Sequence, residues 1–212
     1  MKAVVMAGGE GTRLRPLTCS VPKPMVPLLN APLMEYSIGL LKAHGIVEIF
    51  VTLHYLPNMV SEYFMDGSRF GVMMEYLIEK KPMGTAGSVK QAHQHLKDTF
   101  IVISGDALTD IDLSAAAESH RKNGAVATLV LKREPMPPEY GVVITDEAGR
   151  VKRFLEKPAW GEVFSDTVNT GIYILEPEVL SVFSAVETKD LSKEVFASLL
   201  KKGAPVYGYI AD

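Results

Sequence analysis

The chain has a single cysteine, Cys19, among its 212 residues, so an internal disulfide is excluded, in keeping with a reducing compartment. It lacks any apolar run near the ~18 residues of a membrane span, and its first apolar stretch is too short for the core of a signal peptide. The cytoplasm is the expected compartment, with no membrane partner. Strong charge of either sign is also missing: the net charge is −3, which argues against a general nucleic-acid surface. The five histidines form no ligand cluster, and His93 and His95, two apart on an expected helix, point to different faces. No zinc site is expected. There is no internal repeat, low-complexity tract or linker, so one domain over residues 1–212 is expected. Apolar residues make up 47% of the chain, enough for a full core that removes roughly 70–75% of the unfolded surface from water.

Against that background the opening is distinctive. Lys2-Ala3-Val4-Val5-Met6 is a short apolar run bounded by glycine and reads as a buried strand. It leads into Ala7-Gly8-Gly9-Glu10-Gly11-Thr12-Arg13-Leu14, and Pro22-Lys23-Pro24-Met25 follows in the same loop. The loop leaves the carboxyl end of a strand, where open α/β sheets bind ligands. Glycines at 8, 9 and 11 permit positive φ and let main-chain N–H groups approach an anion. The next helix is expected only near Pro32, whereas ordinary βα loops run roughly 2–6 residues. Residues 1–34 carry Lys2, Arg13, Arg15 and Lys23 against Glu10 alone, a local +3, while the remainder carries −6. Positive charge gathered on a glycine-rich loop points to a small polyphosphate ligand. Spacing excludes a Walker A loop, and Leu14 stands where a dinucleotide fingerprint needs its third glycine.

The remaining pattern predicts helix from Pro32 to a stop at Gly45, strand Val47 to Leu53, helix near Pro57 to Met65, strand Val72 to Ile78, helix Thr85 to Leu96 and strand Phe100 to Ser104. Such alternation means parallel strands covered by helices. A helix near Leu113 to Lys122, a strand from Val126 to Leu131, and an antiparallel hairpin of Gly141 to Thr145 with Val151 to Glu156 follow. Strand Val168 to Leu175, helices near Pro177 to Phe183 and Ser192 to Lys202, and strand Val206 to Ile210 complete the chain. The expected class is α/β, with a mixed, mostly parallel sheet flanked by helices.

Several further segments can carry chemistry. Gly84-Thr85-Ala86-Gly87 opens a helix, so its N–H groups face whatever lies over that end. Ile101-Val102-Ile103-Ser104-Gly105-Asp106 is an apolar strand that delivers Asp106 to the ligand-binding edge, where magnesium takes one or two carboxylates completed by phosphate oxygens and water. A turn aspartate is the alternative reading. Of Asp110 and Asp112, at least one is expected to cap a helix. Glu156-Lys157-Pro158 ends a strand, and its proline stops pairing there. Cys19 is read as a small packing residue, and Met73 and Met74 as core filler.

Taken together, these segments resemble the sugar-phosphate nucleotidyltransferase family, whose mark is a strand followed by G-G-x-G-T-R-L and then P-K-P. Gly105-Asp106, Tyr140-Gly141-Val142-Val143, Glu156-Lys157-Pro158 and Asn169-Thr170-Gly171-Ile172-Tyr173 resemble its later motifs in order. The resemblance implies a Rossmann-like, glycosyltransferase-A-like fold and the reaction of an NTP with a sugar 1-phosphate to give an NDP-sugar and pyrophosphate, with Mg2+. It implies nucleotide contacts from Ala7, Gly8, Gly9, Gly11, Thr12, Arg13, Lys23, Gly84, Thr85, Ala86, Gly87 and Asp106. Sugar-phosphate contacts would come from Gly141, Glu156, Lys157 and Asn169. Catalysis would rest on Arg13, Lys23, Asp106 and Lys157, with the metal on Asp106. P-K-P-M together with G-T-A-G is most similar to members that join GTP to mannose 1-phosphate; glucose 1-phosphate with UTP or dTTP, and a non-catalytic nucleotide-sugar-binding homologue, are the alternatives. Relatives continue into a W-x-D-x-G stretch that supplies a second metal ligand, and beyond it often into an oligomerising domain. This sequence stops at Ile210-Ala211-Asp212, so a truncated domain is expected.

Overall fold

The computed structural model describes residues 1–137, 140–156, 159, 165–184 and 190–211. Strand β1 (Lys2–Met6) holds Ala3, Val4 and Val5 with no exposed surface, because parallel strands are covered on both faces. After the long loop, β2 (Pro27–Leu28) and β3 (Ala31–Pro32) form a two-residue antiparallel ladder. Leu29 and Asn30 close it at φ 49° and 65°, the left-handed pair that a tight hairpin turn requires. Helix α1 (Leu33–Ala43) buries Met34, Ile38 and Leu41 on one face. It stops as expected at Gly45, whose φ is 72°, with the Ile46 N–H donating back to the Leu41 carbonyl at 2.9 Å.

Strand β4 (Glu48–Leu53), helix α2 (Pro57–Phe64), strand β5 (Met73–Ile78), helix α3 (Gly84–Gln91) and strand β6 (Phe100–Ser104) complete the first compact unit, Met1–Asp110. Its strands lie in the order β6-β1-β4-β5, all parallel. Met6 pairs with Ser104 in register, so the two loops that leave β1 and β6 start side by side.

The second unit, Ile111–Asp212, begins with α4 (Leu113–Lys122), capped by Asp112, whose carboxylate accepts from the N–H groups of Ser114 and Ala115. Strands β7 (Ala127–Arg133), β8 (Gly141–Thr145), β9 (Val151–Glu156) and β10 (Thr167–Leu175), helix α5 (Ala197–Lys201) and strand β11 (Val206–Ile210) follow. Within this unit the order is β11-β7-β10-β8-β9, parallel at β11–β7 and antiparallel elsewhere. The predicted hairpin is β8–β9, its turn held by Asp146 Oδ1 accepting from the N–H groups of Ala148 and Arg150. Parallel pairing in the first unit and mixed pairing in the second give the predicted α/β class. Among the described residues no helix is long and apolar enough to cross a membrane.

Several expectations need correction. The helix predicted over 85–96 ends at Gln91; a 3-10 turn over His93–His95 follows, where His93 Nδ1 engages the Lys90 carbonyl at 3.0 Å. Pro177–Ser184 is 3-10 helix, and the predicted 192–202 helix opens as a π turn over Leu191–Phe196. Met73 is not core: it is 60% exposed, because β5 is the last strand of the first unit's order and carries one uncovered face.

Candidate active site

The segment between β1 and α1 is shaped by three short 3-10 turns, Thr12–Leu14, Leu17–Cys19 and Lys23–Met25. Gly11 stands at φ 61°, and a Cβ there would lie 3.0 Å from both Lys23 Cβ and Thr18 Cγ2. Backbone conformation and close approach both demand glycine at that point. Thr18, 1% exposed, donates its Oγ1 hydrogen to the Gly11 carbonyl at 2.8 Å. The Tyr55 hydroxyl lies 3.1 Å and 2.9 Å from the carbonyls of Thr18 and Cys19, fastening the loop to the segment after β4. Gly8 and Gly9 permit positive φ but do not adopt it; a Cβ on Gly9 would meet nothing within 4 Å, whereas one on Gly8 would lie 3.4 Å from His54 Cβ and 3.6 Å from Glu79 Oε1. One expectation fails here: Cys19, read as a packing residue, is exposed, and the buried residue of its turn is Thr18.

This loop, the end of β6 and the start of α3 enclose a hollow of about 400 Å³ lined in part by Ala7, Gly9, Gly11, Thr12, Arg13 and Lys23. Thr85, Ser104 and Asp106 line it as well. Its size falls in the range of small-molecule sites. Lys23 Nζ forms an ion pair with Asp106 Oδ2, and Ser104 Oγ donates to Asp106 Oδ1. Burial pushes the Asp106 carboxyl upward, but Lys23 and Ser104 outweigh it, and the group is held below the usual aspartate range. It is therefore a carboxylate with a cation beside it. Arg13, exposed on the rim, adds positive charge, whereas Arg15 is engaged with Glu10 at 3.3 Å. Among the described residues no group of three or more His, Cys, Asp or Glu is placed to cage a metal. A lone carboxylate oxygen donor suits magnesium, which completes its shell from phosphate oxygens and water.

A second hollow of about 280 Å³ adjoins the first, sharing Met6, Gly9, Thr85 and Ser104 and adding Gly8, Glu79, Gly84 and Ser88. Ala86 and Gly87 line neither hollow. Both are buried in α3, where a Cβ on Gly87 would meet Met83 Cβ at 2.5 Å. Sequence reasoning missed Glu79, Ser88 and Ser104. Glu79 had one available signal, a charged residue ending the apolar run of β5.

In the second unit, Gly141 and Glu156 are direct partners across the β8–β9 ladder. Asn169 sits at the bulge of β10, where Nδ2 donates to the Tyr173 hydroxyl at 2.7 Å and Oδ1 accepts from the Gly171 N–H at 3.1 Å. Val168 pairs with Val142, which brings Asn169 next to the same ladder. Lys157 lies outside the described residues.

The nucleotidyl transferase family profile matches residues 2–212. A UTP–glucose-1-phosphate uridylyltransferase from Synechocystis sp. is 42% identical over 100% of this chain and 58% of its own length. A mannose-1-phosphate guanylyltransferase from Mycobacterium tuberculosis is 39% identical over 98% of this chain and 58% of its own length; the Aspergillus oryzae mannose-1-phosphate guanyltransferase is 37% identical over 96% of this chain and 57% of its own length. The chain thus spans a little over half the length of these curated relatives. Among solved structures, a Bacillus anthracis protein provisionally assigned as a glucose-1-phosphate thymidylyltransferase, in complex with a sucrose, superimposes with TM-score 0.90 at 24% identity, covering 100% of this chain and 87% of that one. HddC from Yersinia pseudotuberculosis, complexed with GMP-PN, gives TM-score 0.83 at 22% identity, covering 99% and 89%.

Proposed function

The chain belongs to the nucleotidyl transferase family, and on that premise we propose that it transfers a nucleotidyl group from an NTP to a sugar 1-phosphate, releasing pyrophosphate. The observation that carries this reading is the hollow lined by Gly9, Gly11, Arg13 and Lys23, with Lys23 paired to Asp106. An oxygen of the sugar phosphate attacks the α-phosphorus, the bond to the bridging oxygen of the β-phosphate breaks, and the electron pair leaves on pyrophosphate. Both reactants are anions, so the site must cancel repulsion and hold the line of attack. Lys23 and Arg13 supply cationic charge, and the loop N–H groups after Gly9 orient the phosphates. Asp106 would hold Mg2+, which when bound neutralises charge on the phosphate oxygens. No general base is needed, because a phosphate monoester is already largely ionised at neutral pH, with a second pKa of about 6. Gly141, Glu156, Lys157 and Asn169 are assigned to the sugar phosphate. We assign the reaction to the cytoplasm, a reading supported by the single cysteine.

For the pair of substrates we assign GTP and mannose 1-phosphate, supported by P-K-P-M with G-T-A-G in this chain and by the relatives from M. tuberculosis and A. oryzae. UTP with glucose 1-phosphate is the second reading, favoured by the Synechocystis relative at 42% identity. Pyrophosphate release should be measured for the full-length protein with GTP, UTP and dTTP, each against mannose and glucose 1-phosphates. Turnover highest for GTP with mannose 1-phosphate is expected; silence across every pair would remove the enzymatic reading in favour of a binding protein.

A further inference from the structure

The first hollow is lined by a loop whose shape is held from outside it. Leu17–Cys19 forms a single 3-10 turn, and the last carbonyls of such a turn lack intrahelical donors. The Tyr55 hydroxyl meets that need: its one hydrogen is shared between the Thr18 and Cys19 carbonyls, 3.1 Å and 2.9 Å away. From there the support runs inward. Thr18 donates to the Gly11 carbonyl, which also accepts from the Leu14 N–H at 2.9 Å and so closes the turn that carries Arg13. Gly11 in turn leaves no room for a side chain against Lys23 Cβ. Tyr55 itself lines neither hollow, so it reaches the two cations only through the loop. Its own segment is tightly set. His54 Nδ1 donates to the Glu79 carbonyl at 3.0 Å, and Leu56 stands at φ 46°, ψ 52°, left-handed backbone that a residue before proline rarely adopts. Strain of that kind persists where surrounding contacts over-determine it.

We propose that Tyr55 is a positioning residue for phosphate binding, its hydroxyl holding Arg13 and Lys23 against the hollow before the nucleotide arrives. The ligand class rests on the nucleotidyl-transfer reading; the tie rests on the hydrogen bonds of Tyr55 and Thr18. A loop of this length left free would lose conformational freedom on binding, and that cost would be subtracted from affinity. Fixing it in advance also fixes the cations where negative charge has to be cancelled. The tie is a matter of the hydroxyl alone, since phenylalanine keeps the ring and removes the one hydrogen that both carbonyls use. Its loss should be felt by the triphosphate and not by the sugar phosphate, whose assigned residues lie in the second unit.

Trypsin reads the loop directly. Between Ala7 and Met25 it has one usable site, the Arg13–Leu14 bond, because Arg15 and Lys23 are each followed by proline. Full-length wild type and Tyr55→Phe should be compared by cleavage after Arg13 and by steady-state release of pyrophosphate with the pair of substrates that turns over fastest. Tyr55→Phe should be cut there roughly fivefold faster, the population change that one hydrogen bond makes, with cleavage at other sites unchanged. Its kcat/KM for the NTP should fall by roughly tenfold to a hundredfold, the scale of a small misplacement of catalytic groups, while KM for the sugar phosphate holds. Cleavage after Arg13 equal to wild type overturns the proposal, and so does cleavage faster in step with every other site, which leaves only a general stabilising role. An unchanged kcat/KM for the NTP, or an equal rise in both KM values, overturns it as well. If Arg13 cleavage is selectively faster but neither protein releases pyrophosphate with any pair, calorimetric affinity for GTP decides. Weaker binding by Tyr55→Phe then means that positioning stands and nucleotidyl transfer fails; equal binding means that both fail. Pyrophosphate released equally by two proteins that are cut equally has the opposite meaning: transfer stands and positioning by Tyr55 fails.

Discussion

The loop from Ala7 to Met25 and the strands β8, β9 and β10 supply candidate site residues by opposite means. In the loop, residues close in sequence are made close in space: Gly11, Thr18 and Lys23 meet within about one side chain's reach because left-handed Gly11 folds the backbone against them. In the strands, Gly141 meets Glu156 across fifteen residues of chain through ladder register, and Asn169 joins them through the pairing of Val168 with Val142. A loop of the first kind concentrates charge and can be disabled at one backbone position. A ladder of the second kind distributes its polar groups, so single changes there should be felt more narrowly.

The sharpest break in this comparison is at Lys23. Lys23→Ala removes both the cation proposed for the phosphates and the partner of Asp106; a loss in kcat of about 10²–10³ is expected, the scale of removing one preorganised charge-stabilising group. Unchanged pyrophosphate release would remove Lys23 from the mechanism. A smaller separation should appear between Gly11→Ala and Asn169→Ala. The first forces a side chain into a left-handed position against Thr18 and Lys23, at about 1–2 kcal/mol, and should raise KM for the NTP. The second should raise KM for the sugar phosphate about tenfold, one polar contact's worth, with KM for the NTP unmoved. Movement of both constants by either variant would dissolve the division of labour.

Acidity probes the same pair with a gentler effect. The folded pKa of Asp106 is lowered, so its ionised form is favoured by the fold. That stabilisation is present above the unfolded value of about 4 and is lost as pH falls through the lower folded value. Acid titration of stability should therefore be shallower for Asp106→Asn than for wild type, and superimposable curves would show that the pair contributes nothing. Smallest of all should be Arg133→Ala. Arg133 and Asp166 are bonded at 2.7 Å, yet their side chains are 65% and 53% exposed, so a change within about 0–1 kcal/mol is expected by thermal melting.

The difference between these regions also explains what could be read in advance. Helices α1 and α4 and the hairpin β8–β9 were legible because their boundary signals, the stop at Gly45, the N-cap Asp112 and the turn at Asp146, act on neighbouring residues. The loop as the lining of the hollow was legible for the same reason, as glycines and cations crowd into one stretch. Glu79 was not, because its one local signal, a charge at the end of β5, does not distinguish it from an exposed acid. Its burial and its meeting with Ser88 depend on where β5 ends relative to α3. Met73 was misplaced because a core strand and an edge strand share one apolar pattern, and only the strand order tells them apart.

By itself the amino-acid sequence determined most of the elements, the parallel βα alternation of the first half and the gathering of glycines and cations in one loop after β1. These follow from propensity, periodicity and the special conformations of glycine and proline, which act over a few residues. Only the tertiary structure decided that Lys23 pairs with Asp106, that Ala86 and Gly87 turn away from the hollows, and that a buried carboxylate at Glu79 faces the space beside Gly8. Those outcomes depend on parallel register between β1 and β6 and on the packing of α3, which bring together residues more than seventy positions apart in the chain.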